Sequence, residues 1–329
     1  DLSDLECEAK SFVVLGRAHY ALGNDLLAIY FYHQSLDIAQ EIDDLRGEAT
    51  ALGNLGSAYH SLGEYSRAID AHQQSLEIIQ KIRDSRGEAN SLGSLGNVYF
   101  LLGEDNRATD NYQHSLDIAR AIGDRQGESV SLHNLGVAFR RLDDLTAAEQ
   151  HFQASARIKE SLHEQLPNIN RLSLLDAQQV TYRLWQVTLM DLGQPQAALA
   201  VAERGRTQAL AVSMTRSLDH EAEAFIPPTP LTPERIQDIA IQQQATLVEY
   251  SVLPSGRILI WVVQPDGTIH ATETDAAALD ESLRDTTDQF ATLGDNARGG
   301  EPPETPLSTL IQETQESLTR GGGASGSTL

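Results

Sequence analysis

Cys7 is the single thiol in 329 residues. A cysteine nucleophile acts as its thiolate, which needs a neighbouring His⁺ or another positive group. Cys7 lies between Glu6 and Glu8, the wrong surroundings for catalysis. A lone cysteine also excludes an internal disulfide framework and a cysteine-based zinc cluster. It fits a reducing compartment, and a cytoplasmic location is expected. The ten histidines include no His-Glu-x-x-His and no other metal-ligand spacing. The glycine-rich "GGGASGST" lacks the Gly-Lys-Ser/Thr ending of a phosphate-binding loop. No catalytic residue, metal or cofactor is therefore expected. The remaining chemistry is recognition. Asn54 and Asn134 carry amides that donate and accept at once, which suits the backbone of an extended peptide. Arg17, Arg140 and Arg141 suit a carboxylate of an acidic partner. These residues act together only on a scaffold that turns them to one face.

The totals narrow the partner. A formal charge of -23 and pI about 4.7 argue against nucleic acid, since phosphate binding needs clustered Lys and Arg. They equally disfavour an anionic membrane surface. No apolar run approaches the roughly 18 residues of a membrane span, the longest being Ile258 to Val263. The acidic start, without an initiator Met, lacks a secretory pattern. The chain is expected to begin inside a longer protein.

The scaffold shows itself as repetition. Gly16, Gly56, Gly96 and Gly136 are spaced by 40. The same step links Leu15, Leu55, Leu95 and Leu135, then Ala28, Ala68, Ala108 and Ala148. It links Tyr32, His72, Tyr112 and Phe152, then Ser35, Ser75, Ser115 and Ser155. Each copy predicts two helices. Leu52, Leu55, Ala58, Tyr59 and Leu62 recur at helical spacing, and Gly63 stops that helix. Ala68, His72, Ser75 and Leu76 line the second. Asp44, Asp84 and Asp124 stand as N-caps. Glycine inside a helix costs up to about 1 kcal/mol against alanine, so Gly56 implies a close approach between paired helices. His72 reads as a core substitute for the aromatic of its column.

This pattern resembles the tetratricopeptide repeat, carried here by Leu55-Gly56, Tyr59, Gly63, Ala68, His72 and Ser75. The usual unit is about 34 residues; the longer one resembles the variety in kinesin light chains. Four repeats are expected at about 5–43, 44–83, 84–123 and 124–165, with Asp143 replacing the glycine in the fourth. A diverged fifth pair is expected over 166–216, on Leu192-Gly193 and Ala198. The fold class is mainly α, a right-handed α-solenoid, because stacked hairpins bury a shared core and leave a concave groove. The resemblance puts Arg17, Ser57 and Asn97 in one groove column, Tyr20, His60, Phe100 and Arg140 in another, and Arg141 in a third. Asn54 and Asn134 join them.

After Met214 the periodicity stops. The stretch 217–245 is proline-rich and reads as a linker. Residues 247–270 then alternate like strands around "PSG" and "PDG" turns, a hairpin or a three-stranded meander. Helix candidates follow at 276–290 and 307–318. Repeats, then "AERGR" (Ala202 to Arg206), then these strands resemble the CHAT family, whose caspase-like α/β domain follows such repeats. Residues 246–329 are then an incomplete start of that domain. The resemblance implies a catalytic His and Cys beyond Leu329, and no position here matches either.

The expected function is an interaction scaffold that binds a protein or peptide in the groove, as the regulatory arm of a caspase-like protein. A second reading is part of an active CHAT cysteine peptidase. A third is self-assembly through the stacked repeats, giving a homo-oligomer.

Overall fold

The computed structural model describes residues 2–165, 168–217, 229–253 and 255–275. Two units divide the chain, Asp1–Pro230 and Leu231–Leu329.

The first unit is a succession of helical pairs. They are α1 (Leu2–Ala21) with α2 (Asp25–Glu41), α3 (Leu45–Ser61) with α4 (Tyr65–Lys81), and α5 (Ser85–Leu101) with α6 (Asp105–Ala121). Then come α7 (Arg125–Arg141) with α8 (Leu145–Gln165), and α9 (Asn168–Asp191) with α10 (Pro195–Ser217). The caps of α3, α5 and α7 are the predicted aspartates. Asp44 accepts from the backbone N–H of Arg46 and Gly47 at 3.1 and 3.0 Å. Asp84 and Asp124 accept from Gly87 and Gly127, each at 3.0 Å. Each such cap contributes about 1 kcal/mol. The first helices end in left-handed residues, Gly23, Gly63, Gly103 and Gly193, with φ between 69° and 77°. Asp143 holds the same conformation at φ 63°, where a side chain is unfavourable.

The recurrent helical glycine has a packing cause. A Cβ on Gly56 would lie 2.6 Å from the His72 ring, one on Gly96 2.5 Å from Tyr112, and one on Gly136 2.7 Å from Phe152. The aromatic of each second helix thus lies flat against the first. The recurrent serine closes the same pair by a buried hydrogen bond. Ser75, Ser115 and Ser155 donate to the carbonyls of Ala49, Ala89 and Ser129 at 2.7–2.8 Å. Leu55, Leu95 and Leu135 are 1–3% exposed, and burying such a side chain is worth about 1.5–3 kcal/mol.

Successive pairs are tied by a repeating set of polar contacts. Gln40 bonds Glu48, Gln80 bonds Glu88, and Arg120 bonds Glu128, at 2.8, 2.9 and 3.0 Å. His33 meets the Tyr59 hydroxyl at 3.0 Å and Gln73 the Tyr99 hydroxyl at 3.4 Å.

The fifth pair keeps this register at a spacing of 50 from the fourth. Leu142 and Ala148 map to Leu192 and Ala198. Small and large exchange places in its register: Gln186 takes the place of Gly136 and Ala202 that of Phe152, with both buried. Its serine bond is inverted too, as Gln179 donates to the Gly205 carbonyl at 3.0 Å.

The second unit holds α11 (Pro233–Gln243) and three strands, β1 (Leu247–Val252), β2 (Arg257–Val263) and β3 (Ile269–Asp275). The sheet is antiparallel in the order β1-β2-β3, with Tyr250 opposite Ile260 and Ile260 opposite Thr272. Leu259, Trp261 and Val263 alternate along β2 and are fully buried. The linker predicted over 217–245 contains α11. Thr232 caps it by accepting from Arg235 N–H at 3.3 Å, and Pro233 stands at its first position. Proline there starts a helix because its missing N–H is not needed. Ile236 and Ala240 are buried, and Gln237 donates to the Gly267 carbonyl at 2.7 Å. The helices predicted at 276–290 and 307–318 lie outside the described residues, as does most of 246–329.

Candidate functional site: an amide-lined cleft between α5 and α7

Two neighbouring first helices, α5 and α7, border a cleft of about 480 Å3. Helical spacing brings Arg86, Asn90, Ser94 and Asn97 to it from α5, and Gln126, Val130 and Asn134 from α7. Ser115 and Ser131 form its deeper wall and share a hydrogen bond of 3.0 Å.

Asn97 is held from two sides. Its Oδ1 accepts from the Tyr112 hydroxyl at 2.8 Å and from Asn134 Nδ2 at 3.3 Å. With the oxygen so engaged, the Asn97 amide nitrogen is the group available to donate. Burial pushes the Tyr112 phenol well above its usual range, so it remains a neutral donor. Exposed Arg86 and part-buried Asp124 form a pair at 3.4 Å. The lining offers amides, hydroxyls and one compensated ion pair, with no histidine, cysteine or lysine among its residues. Such a surface can hydrogen-bond an extended backbone.

Of the residues singled out in the sequence, Asn97 meets Asn134 and Phe100 meets Arg141. The others are spread along the first helices. Asn54 lies one copy earlier, half-buried, and Ser57 donates to its own helix at Gly53 O, 3.1 Å. His60 is half-buried, edge-on to Tyr65 at 6.2 Å, and burial lowers its pKa. Arg17 and Tyr20 are exposed on α1. Arg140 is tied to α9 through Asp191 at 2.6 Å and Thr188 at 3.1 Å. Arg141 stacks 3.4 Å from the Phe100 ring centre and pairs with Asp105 and the Phe100 carbonyl. These two arginines already have carboxylate partners within the chain. Arg86, Asn90, Ser94 and Gln126 were missed by the sequence reading. Their signal was present, since residues 86, 90, 94 and 97 follow one helical stripe.

A second polar group is buried where α7, α8 and α9 meet. Lys159, 3% exposed, stands in the column of Ala39, Ile79 and Ala119 and donates to Thr181 at 2.6 Å. Thr181 also meets His133 Nδ1 at 3.0 Å. Burial lowers Lys159 to about 8; burial and Lys159 lower His133 to about 4. Glu160 accepts from Tyr182 and from Arg204 of the Ala202–Arg206 stretch. This group ties the fourth pair to the fifth. Cys7 is exposed. Among the described residues no cluster has metal-ligand composition, and no helix is long and apolar enough to cross a membrane.

A stack of helical hairpins with an amide-lined cleft on its first helices defines a helical-repeat scaffold. Residues 8–81 and 87–161 match the tetratricopeptide repeat family, so this segment is a run of tetratricopeptide repeats. Tetratricopeptide repeat protein 28 of Mus musculus is 34% identical over 116 residues, 35% of this chain and 5% of that protein. The match thus spans a small fraction of this relative. The fold is similar to BtubC from P. vanneervenii, with TM-score 0.57 and 19% identity, covering 70% of this chain and 89% of that one. It is also similar to a Rap protein complexed with Competence and Sporulation Factor, with TM-score 0.52 and 17% identity, covering 63% and 55%.

Proposed function

We propose that this chain is an interaction scaffold that holds an extended, largely uncharged segment of a partner protein in the α5–α7 cleft. One observation carries the reading: Tyr112 and Asn134 fix the Asn97 amide with its oxygen engaged and its nitrogen available. A fixed amide binds a backbone with less ordering cost than a mobile one. The neighbouring Asn90, Ser94 and Gln126 extend the same chemistry along the groove. Arg17, Tyr20, Asn54, Ser57, His60 and Phe100 prolong it on the flanking first helices. Arg140 and Arg141 shape the groove through their internal pairs. A Rap protein of similar fold, complexed with Competence and Sporulation Factor, makes a bound partner a fitting use of such a groove. Photo-crosslinking from residue 94 in the source cell tests this. A single partner species captured there, and lost in the Asn97→Ala/Asn134→Ala variant, is expected; equal capture by both proteins overturns it.

The finer reading places the scaffold as the regulatory arm of a caspase-like protein in the cytoplasm. Its support is the Ala202–Arg206 helix followed by the alternating strands at 247–275, the order in which CHAT proteins arrange these parts. The intact mass and peptide map of the native protein decide it. Peptides continuing to a His and Cys on later strands are expected, and a mature chain ending near Leu329 would contradict it.

A further inference from the structure

The first helices carry glycine in three columns, and two of them have an internal cause. Gly56, Gly96 and Gly136 seat a ring of the paired helix. Gly47 and Gly127 crowd the carboxylates of Asp44 and Asp124, which cap the same helices. Gly53 and Gly93 have neither reason. Apart from its own helix, a Cβ on Gly53 would meet Ser75 Oγ at 3.5 Å and one on Gly93 would meet Ser115 Oγ at 3.7 Å, with nothing else within 4 Å among the described residues. Both are ordinary contacts, so a side chain fits, yet glycine is a poor residue for a helix interior. The column itself accepts side chains, since its other members are Val13 and His133.

A second column, on the next first helix, varies with this one. It holds Ala51 after Val13, Ser91 after Gly53, Ser131 after Gly93 and, with the 50-residue step, Thr181 after His133. Where the first column is apolar, the second has no hydroxyl. Where it is histidine, the ring reaches the hydroxyl: His133 Nδ1 lies 3.0 Å from Thr181 Oγ1. Where it is glycine, the second column is serine and no side chain of the first column meets it. Ser131 is 4% exposed and lines the α5–α7 cleft with Gly93 and Ser115. Ser115 gives its one hydroxyl hydrogen to the Ala89 carbonyl at 2.8 Å. Ser131 is therefore the donor in the 3.0 Å bond between the two serines, and its oxygen keeps only acceptor capacity.

We propose that the place left open at Gly93 is a side-chain subsite of the cleft, where the bound segment donates a neutral side-chain N–H, from a carboxamide or an imidazole, to Ser131 Oγ. This rests on the cleft reading and adds the chemistry that is selected: Asn97 takes the backbone, and Ser131 chooses a side chain. The fourth copy has the same place filled from within, by the His133 ring on the matching hydroxyl. A carboxylate brings only acceptors to an acceptor oxygen and is rejected. An ammonium would give up its water beside an Asp124 that Arg86 already engages, a loss with no compensating charge.

Peptides selected by display on the full 329-residue chain are the probe, read by isothermal titration. They are expected to share asparagine, glutamine or histidine at one position. Replacing that residue by aspartate or glutamate should cost at least tenfold in affinity. Gly93→Ala and Gly93→Val, the latter the residue of the first copy, close the opening. Both should keep the far-ultraviolet circular dichroism of the parent, Gly93→Ala with a raised melting temperature, and both should bind the selected peptide at least tenfold more weakly. Ser131→Ala should bind it several-fold more weakly and lose the discrimination against the acidic peptide. Parental affinity in folded Gly93→Ala and Gly93→Val overturns the subsite, as does equal binding of the acidic peptide by the parent. If Asn97→Ala/Asn134→Ala still loses affinity in that case, the subsite alone falls; if it too binds like the parent, the cleft reading falls with it.

Discussion

The hydroxyl of Tyr112, a core residue 3% exposed, donates to the Oδ1 of Asn97 in the cleft at 2.8 Å. One residue thus serves both the helix-pair core and the recognition surface. Tyr112→Phe keeps the ring against Gly96 and removes only this bond, as Phe152 already does in the fourth copy. The expected stability loss is about 1 kcal/mol by urea denaturation. The expected loss of partner affinity is several-fold. Unchanged affinity would show that the orientation of Asn97 does not matter.

Two glycine substitutions should act in opposite directions. Gly96→Ala drives a Cβ to 2.5 Å from the Tyr112 ring, and such overpacking costs about 1–3 kcal/mol. Gly53→Ala meets Ser75 Oγ at an ordinary 3.5 Å. There the helical advantage of alanine prevails, up to about 1 kcal/mol of stabilisation. Thermal melts of both variants check the signs.

Asp143→Gly should stabilise the fourth pair. Asp143 holds φ 63° where the first three copies have glycine at φ 75–77°. Relief of left-handed strain is worth about 1 kcal/mol. A lower melting temperature would mean that the Asp143 side chain makes a compensating contact.

The stability of the repeats should fall in mild acid. His72 is 2% exposed, and burial, then His60, lowers its pKa to about 4. The folded histidine stays neutral while the unfolded one protonates near 6.5. Folding therefore loses stability as pH drops from about 6.5 towards about 4, where the loss levels off. His133 is lowered to about 4 by burial and Lys159 and adds the same trend. His72→Tyr, the residue of its column at 32 and 112, should flatten part of the slope in melts between pH 7 and 4. An unchanged slope would contradict this origin.

Eight helices and the Asp44, Asp84 and Asp124 caps were legible because 40-residue register repeats both the apolar columns and the turn chemistry. Gly56 announced a close helix pair before any contact was visible. The inverted pair Gln186 and Ala202 was not legible, because large and small had changed places across a 50-residue step. Helix α11 was hidden by its prolines, although Thr232-Pro233-Glu234 is a start signal. The cleft was half legible. Asn97 and Asn134 followed from their columns. The engagement of Arg140 and Arg141 did not, since Asp191 and Asp105 stand 51 and 36 residues away and only folding brings them close.

The central claim is that the α5–α7 cleft holds an extended backbone. Peptides selected by display on the parent chain supply the probe. Isothermal titration of the tightest such peptide into the parent and into Asn97→Ala/Asn134→Ala is the most direct measurement. The account expects at least a tenfold loss of affinity, about 1.4 kcal/mol, with helical content and melting cooperativity retained. Equal affinity for the two folded proteins would contradict it and place recognition on another face.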